Sequence, residues 1–367
     1  MTRRFLFLLS IVLLPSCLHG GQERAELDKK VGIAQADGIS LAVDQGLAAV
    51  RSLEQGYGEL WFSAPSQSIS ITLTPEGGTS LQLHLVNTMP QLNAECAGEA
   101  GLSCQALLVP GETPRVKELF LTFDGPGEYT LTLTPAEFDS TAPFSFILFS
   151  DIQEELSHVQ DAFSLMNSVT DARFIISAGD LTDQGEEWEL KWFQQEMETL
   201  NIPLFSTCGN HDTMDGYDGD WPRIFGRHSF SFTYQNTRFT LMDSASATID
   251  PINYRLLESW LDQSADQLHI FTTHIPIIDP NGFRNGSFRS RQEAGKLLAL
   301  LARGRVDLTL YGHIHTYMHF TNGGIDAIIS GGGGGWPEKL DGFGRHFLVI
   351  TVDPLAQSAS WRMIAVD

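Results

Sequence analysis

The hydrophobic rhythm of this chain changes once, near residue 140, and that change limits what the chain can fold into. From Glu59 to Pro135, apolar and polar residues alternate in "SISITLTP", "SLQLHLVN", "KELFLTFDG" and "GEYTLTLTP", with Gly/Pro turns between them. A period of two marks half-buried antiparallel strands, and no helix-period segment interrupts it. From Phe144 onward strands and helices take turns. "FSFILFSD" reads as a strand, and Leu156, Val159, Phe163 and Met166 then recur at helical spacing within 154–169. "RFIISAGD" is a second strand, Glu186–Leu200 a second helix and "PLFSTCGN" a third strand. This alternation predicts an α/β domain whose sheet starts out parallel. Downstream, "SFSFTYQNTRFTLMDS" reads as a hairpin, followed by a helix over 251–265, strand "HIFTTH", a helix over 290–303 and strand "LTLYGH". The tail, "GIDAIISGG", "FLVITVD" and "WRMIAVD", reads as strands throughout.

A chain of 367 residues is long for one hydrophobic core, and two domains are expected. The pattern divides it into a β-sandwich over 56–136, a linker "EFDSTAP" at 137–143 and the α/β domain over 144–367. Residues 17–55, polar and rich in Ala and Gly, are expected to form a tether with some helix. The ending "GEYTLTL" resembles that of the pre-peptidase C-terminal type of secreted bacterial β-sandwich. The sandwich segment holds no cluster of His, Asp or Cys suited to chemistry, so a spacer or binding role is expected of it.

The first residues, "MTRRFLFLLSIVLLPSC", combine two arginines, an apolar run from Phe5 to Leu14 and a small residue before Cys17. That run is too short to span a bilayer and reads as a secretory signal over 1–16. "LPSC" further resembles a bacterial lipobox, which implies acylation of Cys17; an ordinary cleaved signal with an incidental cysteine is the alternative. Either way the protein is expected to be exported, to the periplasm or cell surface. Without residues 1–16 the 23 basic residues fall to 21 against 45 acidic ones, an excess of 24 negative charges. Such a surface repels a nucleic acid duplex and anionic lipid, so a membrane would be reached only through the lipid anchor. Cys96 and Cys104, in "CAGEAGLSC", are expected to pair in an oxidising compartment, and Cys208 to be a buried thiol.

Polar residues gather where the strands of the second half end. Asp151 and Gln153 follow the first strand, Asp180 the second, and Asn210 and His211 the third. His274 ends "TTH", and His313 and His315 sit in "YGHIHTY". In open α/β sheets, sites form beyond the carboxyl ends of strands. Buried together and unpaired, so many polar groups would cost several kcal/mol each. Mixed oxygen and imidazole donors suit divalent ions of the Mn, Fe, Zn, Co or Ni type.

The ordered set D-x-[H/Q], G-D-x-x-D, G-N-H-D, H and G-H-x-H resembles the calcineurin-like metallophosphoesterase family from Phe144 to the C-terminus. The resemblance implies a four-layer sandwich of two mixed β-sheets flanked by helices, here preceded by the all-β sandwich. It implies two divalent ions: Asp151, Gln153 and His315 on one, Asn210, His274 and His313 on the other, and Asp180 bridging them. A hydroxide between the ions would attack phosphorus, and His211 would protonate the leaving oxygen. Asp212 is expected to orient the His211 ring, and Asp183 to be a cap or outer group. Most of the family carries His where this chain has Gln153. A branch typified by manganese-dependent ADP-ribose/CDP-alcohol diphosphatases carries Gln, which as a harder donor points to Mn²⁺ or Mg²⁺-like ions.

Around this set, "DPNGFRNGSFRSR" offers Arg284, Arg289 and Arg291 as a substrate clamp, or merely as solvated loop residues. In "SGGGGGWPEK", Trp336 is a candidate to stack on a base or ring; a flexible turn with a packed Trp is the alternative. The expected function is hydrolysis of a phosphodiester or diphosphate, with a small phosphorylated or nucleotide substrate. A non-catalytic surface lipoprotein that binds a ligand or partner through its metals is the rival. A peptidase or acyl hydrolase has no HExxH or GxSxG to support it.

Overall fold

The computed structural model describes residues 20–213, 219–264, 266–282, 286–338 and 342–366. The expected signal segment, Cys17 and Arg284 lie outside these residues.

The sandwich starts earlier than its sequence pattern suggested. The described part of the segment 17–55, expected as a tether, is folded: Gly20–Asp28 is a helix, and Ile33–Ala36, Ile39–Val43 and Ala48–Glu54 are strands. Two tight hairpins account for this. Asp37–Gly38 joins the first two strands and Gln55–Gly56 joins Ala48–Glu54 to Tyr57–Phe62, and all four turn residues have positive φ. That is the two-residue turn whose twist matches its strands. The alternation Ile39, Leu41, Val43 is too short to stand out against polar neighbours.

One sheet runs in the order Ile33–Ala36, Ile39–Val43, Gln67–Leu73, Gly127–Pro135, Leu92–Gly98. The other runs Ala48–Glu54, Tyr57–Phe62, Ser80–Val86, Lys117–Phe123, Cys104–Pro110. Their apolar faces enclose a common core with Leu41, Ile69, Ile71 and Leu131 from one sheet and Leu60, Leu83, Leu119 and Leu121 from the other. Cys96 and Cys104 form a disulfide that joins the edge strands of the two sheets. It therefore ties one sheet to the other as well as closing a loop.

The described residues between 144 and 366 form four layers. The first sheet has the order Leu204–Ser206, Ala172–Ser177, Phe144–Leu148, His346–Asp353, Ser358–Ala365, with the first three strands parallel. The second runs Phe230–Tyr234, Thr237–Met242, Leu268–Thr273, Leu308–Tyr311, Ile325–Ser330, Tyr317–Asn322, with its middle four parallel. Alternation along each strand sorts the side chains into layers. Phe146, Leu148, Phe174 and Ile176 meet Phe239, Leu241, Ile270 and Leu310 between the sheets. Ile147, Phe149 and Ile175 face Phe163, Met166, Leu190 and Phe193 of the outer helices Gln160–Asn167 and Glu187–Glu196. On the far side Phe271, Tyr311 and Ile329 meet Leu257, Leu261, Leu297 and Leu301 of Pro251–Gln263 and Arg291–Arg303. Those two helices start where the sequence supplies caps: Asp250 accepts from the Ile252 amide and Ser290 from the Glu293 amide.

Sandwich and four-layer domain are joined by buried polar contacts. Both ends of the Asn87 amide bond the backbone of Leu204, at 2.7 and 3.0 Å, on the edge strand of the first sheet. Arg115 donates to the carbonyls of Leu200 and Met197. The helix Gly20–Asp28 crosses over as well. Arg24 pairs with Asp243 at 2.8 Å, each 3% exposed, and Asp28 accepts from the His228 ring at 2.7 Å and from the amides of His228 and Ser229.

Candidate metal centre

Three parallel strands of the first sheet and two of the second lead into the expected ligands, and the chain turns sharply as it leaves them. Asp151, Gln153, Asp180 and His313 have φ of 65°, 48°, 53° and 68°. Left-handed backbone at non-glycine residues costs on the order of 1–3 kcal/mol each and persists only where the surroundings impose it. The glycine before each ligand in "GD", "GN" and "GH" has a packing reason. A Cβ on Gly209 would occupy the place of the Asp180 carboxylate, and one on Gly312 that of the Asp151 carboxylate.

The seven side chains expected as ligands converge. Oδ2 of Asp180 lies 3.2 Å from Nε2 of His274 and accepts from Nε2 of Gln153 at 2.7 Å. His274 Nε2 is 3.0 Å from Oδ1 of Asn210. His315 Nε2 is 3.4 Å from the Gln153 amide nitrogen and 3.6 Å from Oδ1 of Asp151. The His274 and His313 rings stand edge to face at 5.1 Å, and ligand atoms of Asp180, His274 and His313 all lie within 4.8 Å of one another. Backbone amides complete the frame: His211 donates to Asp180 Oδ1 and His313 to Asp151 Oδ1, each at 2.8 Å.

The imidazoles are set up as ligands. Nδ1 of His274 donates to the Ala178 carbonyl at 3.0 Å and Nδ1 of His315 to the Trp336 carbonyl at 2.7 Å. Each such bond fixes the tautomer and leaves the Nε2 lone pair facing the acids. Lone pairs facing carboxylate oxygens in a buried site call for a cation. A proton on Nε2 of His274 is the alternative to such a cation, and the titration behaviour shows the pull on it. Burial opposes charge on His274, yet Asp180 and Asp151 outweigh it and raise its pKa to about 9. Burial alone would raise Asp180, but His274 and His211 hold it well below the usual carboxylate range. The cluster draws positive charge into itself, and its oxygen and imidazole donors fit a divalent ion.

Two expected roles are corrected. Asp212 does not orient His211: its carboxylate accepts from the Gly209 amide at 2.8 Å and from the amide and hydroxyl of Thr182, each at 3.0 Å. Burial, then the charge of Asp180, raises Asp212 to about 7. The His211 ring is held by Asp183, whose carbonyl takes Nδ1 at 2.7 Å. Gln153 reaches the site, but its amide nitrogen faces Asp180; Oε1 is turned toward Gly335. Arg289 and Arg291 are exposed at the start of the helix Arg291–Arg303, and no described contact joins either to the cluster. They project into solvent, so the geometry carries no clamp. Trp336 is 70% exposed and therefore not a packed residue. Cys208 is buried, with Sγ 3.6 Å from Asp243.

Sequence reasoning missed Ser150, whose hydroxyl donates to Asp151 Oδ2 at 2.7 Å and to the Ser330 carbonyl. It also missed the carbonyls of Ala178, Trp336 and Asp183, which have no residue signature. Cavity size does not locate the centre either. A cavity of about 730 Å³ lies elsewhere, between the sandwich and the helix Glu187–Glu196, beside Arg51, Trp61 and His84.

Two sheets between helices, with an acid, amide and imidazole cluster at one strand edge, define a metal-dependent phosphoric ester hydrolase. Residues 144–317, which contain all seven ligand candidates, match the model of the calcineurin-like phosphoesterases, and this domain belongs to that family. A protein of Ruthia magnifica named a probable cyclic nucleotide phosphodiesterase is 26% identical over 170 residues, 45% of this chain and 70% of its own length. A similarly named protein of Xenorhabdus bovienii is 22% identical over 197 residues, 50% of this chain and 74% of its own length. A purple acid phosphatase from yellow lupin superposes with a TM-score of 0.53 at 13% identity, over 82% of this chain and 70% of its own. Residues 144–367 are 224 of 367. A match over 82% must therefore extend into the N-terminal sandwich, so the shared fold includes part of it.

Proposed function

We propose that this protein hydrolyses phosphodiester or diphosphate linkages of small nucleotide-type substrates with a pair of divalent ions, manganese foremost. The observation that carries the reading is the convergence of Asp180, His274 and His313, with ligand atoms within 4.8 Å, on an edge that also gathers Asp151, Gln153, Asn210 and His315. Asp180 Oδ2 lies between the Gln153 amide and the His274 ring, which supports a role for Asp180 in holding both ions. Asp151, Gln153 and His315 would then hold one ion, and Asn210, His274 and His313 the other. Such ions supply a water of lowered pKa and neutralise phosphoryl oxygens. For Gln153 to ligate through Oε1, its amide must turn end for end from the orientation that donates to Asp180.

The chain's own groups do the rest. His211 sits at the rim with its side chain 28% exposed, and the Asp183 carbonyl holds Nδ1. Nε2 is left to hand a proton to the leaving oxygen. Burial opposes the charged form of His211, but Asp180 and the Asp183 carbonyl outweigh it and raise its pKa, which favours the proton donor near neutral pH. The two relatives named as cyclic nucleotide phosphodiesterases support a nucleotide substrate.

We also propose that the protein is exported and held at a membrane by acylated Cys17, on the periplasmic or cell-surface side. The Cys96–Cys104 disulfide supports an oxidising compartment.

The test is hydrolysis of bis-p-nitrophenyl phosphate with Mn²⁺ by the protein and by Asp180→Asn. Removing the bridging charge is expected to slow turnover by roughly 10²-fold or more. Equal rates would leave a non-catalytic binding protein as the reading.

A further inference from the structure

The helix Gly20–Asp28 reaches the four-layer domain at the carboxyl edge of its second sheet. Asp243 follows the strand Thr237–Met242 as His274 follows Leu268–Thr273, and Met242 pairs with Thr273 in parallel register. Arg24 therefore meets Asp243 on the edge that gathers the proposed metal ligands. Its guanidinium donates to Oδ2 and Oδ1 at 2.8 and 3.3 Å, and to the Ser246 hydroxyl at 2.9 Å. Such a fork fixes the plane of a carboxylate as well as its position. Held in this way, Oδ1 accepts from the Ala245 amide at 2.9 Å and from the Cys208 thiol at 3.6 Å.

From this node the contacts run to one side of the metal centre. Cys208 stands two residues before Asn210. Thr207 donates its hydroxyl to the His228 carbonyl at 2.8 Å, and Asp28 accepts the amides of His228 and Ser229 at 2.9 and 3.0 Å. The helix thus bears on the segment leading to Asn210 through both Arg24 and Asp28. Ser244, next to Asp243, accepts the Ile275 amide at 2.8 Å, directly after His274. Asn210 and His274 themselves meet at 3.0 Å. The opposite side is fixed by other groups, with Ser150 on Asp151 and the Trp336 carbonyl on His315. We propose that Arg24 is a positioning residue for the ion held by Asn210, His274 and His313, so that the N-terminal helix sets the affinity of that ion and not of its neighbour. The inference rests on the two-ion reading above. Arg24, Thr207, Cys208, His228, Asp243 and Ser244 are all buried. Close-packed interiors transmit strain, so a shift of the Asp243 carboxylate is passed to the two loops rather than absorbed by solvent.

The experiment is calorimetric titration of the metal-free protein with Mn²⁺ alone, each variant being held below its own thermal midpoint. The unaltered protein is expected to take up two ions, and Asn210→Ala identifies the step that belongs to its ion. Arg24→Ala should weaken that same step about 10- to 100-fold, the scale of losing a support behind a ligand, and leave the other step unchanged. Arg24→Lys keeps the buried charge paired but gives up the fork, so a smaller weakening of the same step is expected. Asn87→Ala loosens the sandwich at a different contact and should leave both steps as they are. Both steps unchanged in Arg24→Ala, or both weakened alike, overturns the proposal, because a role confined to stability does not choose between ions. A loss in Asn87→Ala equal to that in Arg24→Ala overturns it too. Should Arg24→Ala fail to fold, Arg24→Lys decides on the same criterion. Uptake of fewer than two ions by the unaltered protein would instead defeat the two-ion reading, and the positioning role with it.

Discussion

Between the Gly335 backbone and the His315 ring there is room for a hydrogen atom and nothing larger. A Cβ on Gly335 would lie 2.5 Å from Cε1 of that ring and 2.9 Å from Oε1 of Gln153. Gly335→Ala must therefore push two of the proposed metal ligands while the rest of the fold is untouched. Displacing such supports typically weakens metal binding about 10- to 100-fold. We expect the Mn²⁺ concentration for half-maximal activity to rise on that scale, with the thermal midpoint little changed. An unchanged metal dependence would show that the ring has room to move. At this scale the convergence of the proposed ligands was legible because each is a specific side chain at a strand end. The support for His211 was not: a carbonyl at Asp183 does the work, and any residue type supplies a carbonyl. Asp212 looked like the better partner by adjacency, but the Gly209 and Thr182 donors capture its carboxylate first.

The helix Gly20–Asp28 shows what an element can do that its composition hides. It carries almost no amphipathic pattern, with Arg24, Ala25 and Asp28 as its buried residues. It is held by charge instead, through Arg24 on Asp243 and Asp28 on His228. Removing one partner of a buried pair leaves the other desolvated and alone, at a cost of about 3–5 kcal/mol. Arg24→Ala is expected to lower stability on that scale, read from the urea midpoint, and Asp243→Asn added to it should restore part of the loss. A midpoint unmoved by Arg24→Ala would mean that the helix contributes little. The neighbouring strands were missed for a related reason. Ile33–Ala36 and Ile39–Val43 have four and five residues, too few for a period of two to declare itself, so the Asp37–Gly38 turn was their clearest trace.

Across the whole molecule, the sandwich caps an exposed sheet edge. The strand Leu204–Ser206 lies at the margin of the first sheet, and Asn87 satisfies both polar groups of Leu204. An uncovered edge offers unpaired amides and carbonyls to other chains. Asn87→Ala leaves those groups buried without partners, and a loss of about 1–3 kcal/mol is expected. Calorimetry should also find the sandwich and the four-layer domain melting in one transition. Two well-separated transitions would show that the contacts between them carry little energy.

The sequence by itself determined the two rhythms, the order of strands and helices in the second half and the side chains that meet at its strand ends. These are set by local periodicity and by chemistry that only certain residues possess. Tertiary structure alone decided where the sandwich begins, that its disulfide joins two sheets, which neighbour holds His211 and why Gly335 carries no side chain. Each of those depends on which backbone atoms come close across long stretches of chain. Backbone atoms are the same at every position, so their meetings leave no mark in the sequence.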